Sequence, residues 1–310
     1  MIRRNVKRIC LFAGYNSDEI IEDYVVYLIE KLSLISDVYY LSDNNLPDNE
    51  KSKIAPYVKA AYGFKHEKYD FGSWQELINI LGWEKLEEYD ELILTNDSIM
   101  GPLYNIQILI DKTILDEEWQ ACGINYAYDY HSWHLSSYFL ILKKEVFTSY
   151  MFKEYIKSIK KEESVENVIE NYEIGLSRLL IQSGYNVKSI VDFKKNIYIS
   201  WRKFLIKGSP FIKKKVFSYE LFFLSRAFGW SFFLKKYTNF DINLIKKHIK
   251  YFYKNTSYAR LLFNKNFWKY ALKGAVKIVM EEDRKVIRIF GIYLLNRVNY
   301  ETNKIKIMGK

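Results

Sequence analysis

Asn96-Asp97-Ser98 places a carboxylate where it could do chemistry. The three residues follow a short aliphatic run, Leu92 to Leu94, that reads as a buried strand. They precede Gly101-Pro102, a pair that ends regular structure. A carboxylate at the C-terminal tip of a parallel strand sits where open α/β sheets bind their ligands. Asn, Asp and Ser are also ordinary turn formers, so a solvated strand-to-loop turn is the simpler reading of the cluster taken alone. His131 and His134 flank Trp133 at a spacing of three, but no carboxylate or thiol completes a zinc set around them.

Positioning such residues requires a sheet. Val6 to Ala13 reads as an apolar strand, Asp18 to Leu32 as a helix and Asp37 to Leu41 as a second strand, which is a βαβ opening and implies a parallel sheet. Ser73 to Leu81 continues as an amphipathic helix, and the strand ending at Asn96 follows. Trp119 to Tyr126 and Ser136 to Leu142 are further strand candidates. Helical patterns then dominate: Lys144 to Lys161, Val165 to Ser183 and most of 203–300. The alternation fades near residue 195. The expected organisation is an α/β domain over 1–195 and a basic, mainly helical region over 196–310. The first strand leads into Phe12-Ala13-Gly14-Tyr15-Asn16 rather than a glycine-rich fingerprint, and no Walker A sequence is present. Dehydrogenases and P-loop enzymes are disfavoured. Folds that hold nucleotide phosphates through a metal on a strand-end carboxylate remain.

Composition sets the boundaries of the reading. The chain has 310 residues, 49% of them hydrophobic and 17% aromatic, enough for a sizeable core. Its two cysteines, Cys10 and Cys122, lie on or beside apolar runs and are expected as buried thiols in a reducing compartment. No signal peptide or membrane-spanning segment is recognised, so the expected location is cytoplasmic, with the membrane surface as an option. Residues 1–150 sum to −10 and residues 151–310 to +20, which together give the net +10. The basic half suits phosphates of a lipid carrier, anionic head groups or nucleic acid. Trp201 to Lys207, Phe211 to Phe217 and Lys277 to Arg297 interleave basic and apolar residues. They read either as amphipathic basic helices lying on anionic membranes or as a helical cap packed on the first domain.

Six ordered segments then resemble the rhamnan synthesis protein F family of bacterial polysaccharide glycosyltransferases. They are Cys10 to Tyr15, Tyr69-Asp70-Phe71-Gly72-Ser73-Trp74, Leu92 to Leu103, Trp133 to Leu140, Tyr172 to Ser177 with Gly184-Tyr185, and Gly208-Ser209-Pro210-Phe211-Ile212-Lys213. Ser136 stands where the family usually has Gln, and Phe64 to Lys68 departs from the family pattern. The resemblance implies a GT-A-like mixed α/β sheet flanked by helices that binds a nucleotide sugar at its strand ends.

It further implies roles. Asp97 would hold a divalent cation, Mg²⁺ or Mn²⁺, that neutralises the leaving diphosphate, although turnover without metal stays open because only one carboxylate is present. Asn96 and Ser98 would orient Asp97 or the ribose. Glu173 resembles the acidic base that opens a helix ending in Gly-Tyr in inverting enzymes of this type; the helix dipole alone would also favour Glu near a helix start. Asp70, Phe71 and Gly72 read as a nucleobase pocket, or as an N-cap in which Asp70 or Ser73 opens the helix. From their own positions, Tyr15 in the first strand-end loop is expected to touch the nucleotide, and His134 to be a phosphate or acceptor contact. The expected reaction moves a sugar, rhamnose from dTDP-L-rhamnose before other donors, onto a capsule or cell-wall polysaccharide or its polyprenyl-linked precursor. It would proceed by an inverting single displacement at the inner face of the membrane. The alternatives are another nucleotide sugar, or a non-catalytic protein whose basic half binds membranes or nucleic acid; no nucleic-acid motif supports the latter.

Overall fold

Seven consecutive buried residues form the central strand β1 (Arg8–Gly14), apolar throughout after Arg8 because helices cover both faces of the sheet. A computed structural model describes residues 6–115, 118–129, 131–218, 229–254, 276–281, 284–289 and 292–296. After β1 come α1 (Asp23–Ser33), β2 (Asp37–Ser42), α2 (Asp48–Ile54), β3 (Ala60–Gly63), α3 (Tyr69–Leu81) and α4 (Trp83–Leu86). Then follow β4 (Glu91–Asn96), the two-residue β5 (Ile99–Met100), α5 (Ile106–Leu115), β6 (Ala121–Gly123), β7 (Tyr126–Asp129), β8 (Ser132–Leu135) and β9 (Phe139–Lys143). The helices α6 (Lys144–Phe147) and α7 (Tyr150–Lys157) lead to a longer helical run.

That run is α8 (Val165–Val168), a π-helical segment (Ile169–Ile174) and α9 (Gly175–Gln182), joined through helical backbone at each junction. The last elements are β10 (Val187–Ser189), α10 (Trp201–Ile206), β11 (Ile212–Lys213), α11 (Lys215–Ser218), α12 (Trp230–Tyr237), α13 (Ile242–Lys254), β12 (Val276–Glu281), β13 (Arg284–Ile289) and β14 (Ile292–Asn296).

Seven strands form one mixed sheet in the order β10-β6-β9-β4-β1-β2-β3. Only β9 runs against its neighbours; it pairs antiparallel with both β4 and β6. The pleat sends alternate residues to opposite faces. Cys10, Phe12, Val38, Tyr40, Ile93 and Ile141 pack against α1 and α5 on one side. Ile9, Leu11, Tyr39, Leu92, Leu94 and Leu140 pack on the other, against Phe71, Trp74 and Leu77 of α3 and Leu176 and Leu180 of α9. The α/β class and the βαβ opening are therefore as expected, and both cysteines are buried free thiols.

In the basic region one stretch follows the cap reading and another departs from both readings. Trp201, Phe204, Phe211, Ile212, Val216 and Phe217 are buried in the same core as Cys10 and Phe12, so 201–217 packs on the sheet with its apolar side turned inward. Lys277 to Arg297, expected as a basic amphipathic helix, contains instead the antiparallel sheet β12-β13-β14. Six β-branched residues in two short runs (Ile278, Val279, Val286, Ile287, Ile289 and Ile292) favour strands there. The stretch 219–228 lies outside the described residues. Among those described, no helix is long and apolar enough to cross a membrane.

Candidate active site

A cavity of about 1160 Å³ opens at the C-terminal ends of β1 and β4. It is large enough for a nucleotide with a sugar attached. Its lining includes Tyr15, Asp70, Phe71, Asn96, Asp97, Ser98, His134 and Glu173, so eight of the nine residues singled out in the sequence meet in one place. The ninth, Gly72, sits beneath: a Cβ there would lie 2.1 Å from Cβ of Lys68 and 2.9 Å from Nδ1 of His66. Its missing side chain lets the 66–68 loop close onto α3.

The tip of β4 is built by Asn96. Its Nδ2 donates to Asp70 Oδ2 (2.7 Å), while its Oδ1 accepts from the Ser98 backbone N–H (3.1 Å) and from the Ser98 hydroxyl. One amide thus ties the first turn of α3 to the turn after β4. The cap reading of Asp70 and Ser73 does not hold, because α3 begins at Tyr69 and its N-cap position, Lys68, makes no side-chain cap. Ser73 instead bonds His66 Nε2 (2.9 Å). Asp70 lies within the first turn, where the helix dipole favours a carboxylate, and Oδ1 also accepts from the Phe71 N–H (3.1 Å). Burial and the nearby Glu173 nevertheless push the Asp70 carboxyl up to about 6. Phe71 is 2% exposed, its ring packed on Trp74 (4.9 Å between centroids) and Tyr172 (5.7 Å), whereas Tyr15 on the rim is 56% exposed. Glu67 and Tyr69 take left-handed conformations (φ +59° and +56°) at this edge, and the adjoining loop is held by Asp43 Oδ1, which accepts from the His66 and Glu67 N–H groups. Strain of this kind collects at functional sites.

Glu173 reaches the cavity from the last turn of the π-helical segment rather than from a helix start, so the helix dipole does not explain it. The i→i+5 winding of such segments is rare and concentrates at functional sites. Glu173 Oε1 accepts from the Ser137 N–H (2.6 Å) and lies 3.9 Å from His134 Nε2. His134, 1% exposed, also has Asp129 Oδ2 at 3.7 Å. The arrangement is a carboxylate held by a backbone donor with an imidazole behind it, suited to taking a proton.

Two lysines complete the β4 tip and were missed as site residues. β11 pairs antiparallel with β5, aligning Ile212 with Met100 and Lys213 with Ile99. Lys213 Nζ donates to Ser98 Oγ (2.8 Å) and lies 4.5 Å above the Tyr138 ring. Lys214 Nζ donates to Asp97 Oδ2 at 3.1 Å. Burial pulls the Lys213 ammonium down to about 8, against the opposing pull of Glu173 and Asp70. The only sequence signal was the Lys213-Lys214-Lys215 run that closes the last family-like segment.

The residues present do not fit a divalent cation on Asp97. Oδ2 is already shared by Lys214 and, at 3.4 Å, the Tyr15 N–H. A cation there would meet two ammonium groups at close range, and like charges in such a site repel strongly. Among the described residues, no three His, Cys, Asp or Glu side chains converge as a ligand set.

The chain is 25% identical over 182 residues to the uncharacterized protein y4gN of Sinorhizobium fredii, a match that takes in 57% of this chain and 46% of that protein. It therefore spans about half the length of the curated relative it matches. Among solved structures it is similar to core-mannan synthase A of Aspergillus fumigatus in a Mn/GDP form (TM-score 0.36, 10% identity, 58% of this chain and 70% of that one). It is also similar to the glycosyltransferase GlyE of Streptococcus pneumoniae (TM-score 0.36, 16% identity, 59% and 45%). A third similar structure is the 4-diphosphocytidyl-2C-methyl-D-erythritol synthase of Anaerococcus prevotii (TM-score 0.37, 11% identity, 65% and 94%). Likeness of this size carries no argument about substrate. The family model is different in kind: that of rhamnan synthesis protein F, RgpF, matches residues 38–298, most of the chain, and the protein belongs to that family.

Proposed function

We propose that this cavity transfers a sugar from a nucleoside diphosphate to a hydroxyl of a polysaccharide or its polyprenyl-linked precursor. One observation carries the reading. A carboxylate held by a backbone donor, Glu173, shares a single cavity with a lysine-flanked strand tip, Asp97-Ser98. The two halves answer the two demands of the reaction, a base for the acceptor and positive charge for the leaving group.

In the proposed step, Glu173 takes the proton of the acceptor hydroxyl. The acceptor oxygen bonds to the anomeric carbon as the bond from that carbon to the donor phosphate breaks. The electron pair leaves with the nucleoside diphosphate, and the anomeric centre inverts. Ser137 N–H fixes the Glu173 carboxylate, and His134 supports it from behind. Asn96 and Asp70 fix the strand tip, and Tyr15 provides a ring at the rim for the nucleotide. Family membership supports rhamnose from dTDP-L-rhamnose as the first donor to try. A lipid-carried acceptor would bring the protein to the inner face of the membrane, and exposed lysines on α12 and α13 (Lys235, Lys236, Lys246, Lys250) suit an anionic surface.

The test combines a thermal-shift panel of nucleotide sugars with a transfer assay. Glu173→Gln is expected to lower turnover roughly 100-fold or more while donor binding persists, since a base contributes about 10²–10⁴ in rate. Asp97→Ala, which takes the carboxylate away from Lys214, is expected to weaken transfer roughly tenfold to a hundredfold with the fold intact. Full activity in both variants would refute the site.

A further inference from the structure

We infer that Lys213 and Lys214, rather than a divalent cation, neutralise the diphosphate in this site. The inference rests on the glycosyl-transfer reading and specifies how its leaving group is held.

Lys213 carries most of the argument. Its ammonium is half-buried at the cavity wall, yet among the described residues it forms no ion pair with any carboxylate. Its partners are a neutral hydroxyl, Ser98 Oγ, and the face of Tyr138. Glu173 and Asp70 act on it only from beyond ion-pair distance, and a partly desolvated charge with no carboxylate in contact suits an anion that arrives with the ligand. An ammonium has three donors, and Ser98 uses one, which leaves two for phosphate oxygens.

Rigid packing fixes where these charges stand. The β5–β11 ladder sets the register, and the Lys214 N–H donates to Ser98 O (2.8 Å) while the Leu103 N–H donates to Pro210 O (2.8 Å). Phe211 packs on Phe139, with ring centroids 5.1 Å apart and planes tilted by 37°, and anchors the segment in the core. Two consecutive strand residues ordinarily face opposite ways. Here the ladder ends at Lys213, and Lys214 turns back to Asp97, so both ammonium groups serve one strand tip. Asp97 is then a positioning residue: its carboxylate holds Lys214 toward the cavity. Lys194, Lys195 and Lys215 extend the positive wall.

The chemistry needs no metal. As the bond from the anomeric carbon to phosphate breaks, the diphosphate keeps the electron pair and gains charge. Fixed ammonium donors stabilise that charge without transferring a proton. The proton released by the acceptor goes to Glu173 and from there to solvent.

The experiment uses the full chain and dTDP as probe, with calorimetric titration in EDTA and then in excess Mg²⁺ or Mn²⁺, and thymidine as the neutral control. dTDP is expected to bind in EDTA, with metal changing its affinity by less than about threefold. Lys213→Met and Lys214→Met are each expected to weaken dTDP roughly tenfold to a hundredfold, the loss of charge-assisted hydrogen bonds, while thymidine binding holds. Lys213→Arg keeps the charge and should restore most of the affinity, which a merely structural lysine would not require. Binding that appears only with metal, or is indifferent to both Met variants, overturns the inference and leaves the donor site standing. If dTDP, UDP, GDP and CDP all fail to bind with or without metal, the glycosyl-transfer reading falls and the inference with it.

Discussion

Asp70 offers a stability measurement that reads the electrostatics of the cavity directly. Its carboxyl titrates near 4 in an unfolded chain and is pushed up to about 6 in the fold, by burial first and by Glu173 second. The folded state therefore holds a proton that the unfolded state has lost between about pH 4 and 6. The Asp70 contribution to stability must fall as pH rises across that window and stay level above it. The gap corresponds to ~3 kcal/mol if fully expressed; the side chain is only partly buried, so screening reduces the expected figure to about 1–2 kcal/mol. Asp70→Asn removes the titration. Its single side-chain oxygen keeps the Asn96 bond and gives up the one to the Phe71 N–H, a loss of about 1 kcal/mol at every pH. Urea unfolding of both proteins at pH 4 and pH 7 separates the two effects. Between those values the variant should gain about 1–2 kcal/mol on the wild type. A difference that stays constant with pH, or that moves toward the wild type, would refute the account of the Asp70–Glu173 pair.

Two further outcomes follow from the same geometry. Gly101 has φ +141°, and a Cβ there would lie 2.6 Å from Pro210 O, so Gly101→Ala should cost about 1–3 kcal/mol in thermal or chemical unfolding and weaken dTDP binding by shifting β11. If the basic region engages membranes, liposome co-sedimentation at low salt should require anionic lipid and fade as salt approaches 0.5 M, where screening lengths shrink to about 4–5 Å; no binding at low salt would retire the membrane-surface part of the proposal.

Much of the frame was legible because it is written locally. The centres of β1, β2 and β4 (Ile9 to Ala13, Val38 to Leu41 and Leu92 to Leu94) are apolar runs whose two buried faces leave few alternatives. The site carboxylates were legible as members of an ordered set of segments, although Asp97, Asp70 and Glu173 each have an ordinary structural reading alone. Lys213 and Lys214 were not legible, because their role depends on pairing with residues 115 and 117 positions away. Phe211 to Phe217 left two readings open, a membrane-lying stretch or a cap on the first domain, because basic and apolar residues alternate there; only the tertiary contacts show that the apolar ones face the core. For β12 to β14, a pattern compatible with two periods resolved to strands, in keeping with its β-branched residues.

The wider winding of Ile169–Ile174 gives the base an unusual kind of address. Val168, Tyr172, Leu176 and Leu180 are all buried in one core cluster although they recur every four residues. In an uninterrupted α-helix of 3.6 residues per turn that stripe would drift around the axis by about 40° at each step. The extra residue taken up by the π-helical segment returns it to the core and, in the same turn, aims Glu173 at Ser137 and His134. The location of the base is thus stored as a count of residues as much as in the identity of any one of them. Substitutions on the outer face of this helix should be absorbed. A single deletion between 169 and 174 would leave a longer, more regular helix whose flanks keep their facing to within about 20°, but it would remove the wide turn that carries Glu173 to Ser137 and His134. In this segment chain length, more than side-chain chemistry, is what selection would have to guard.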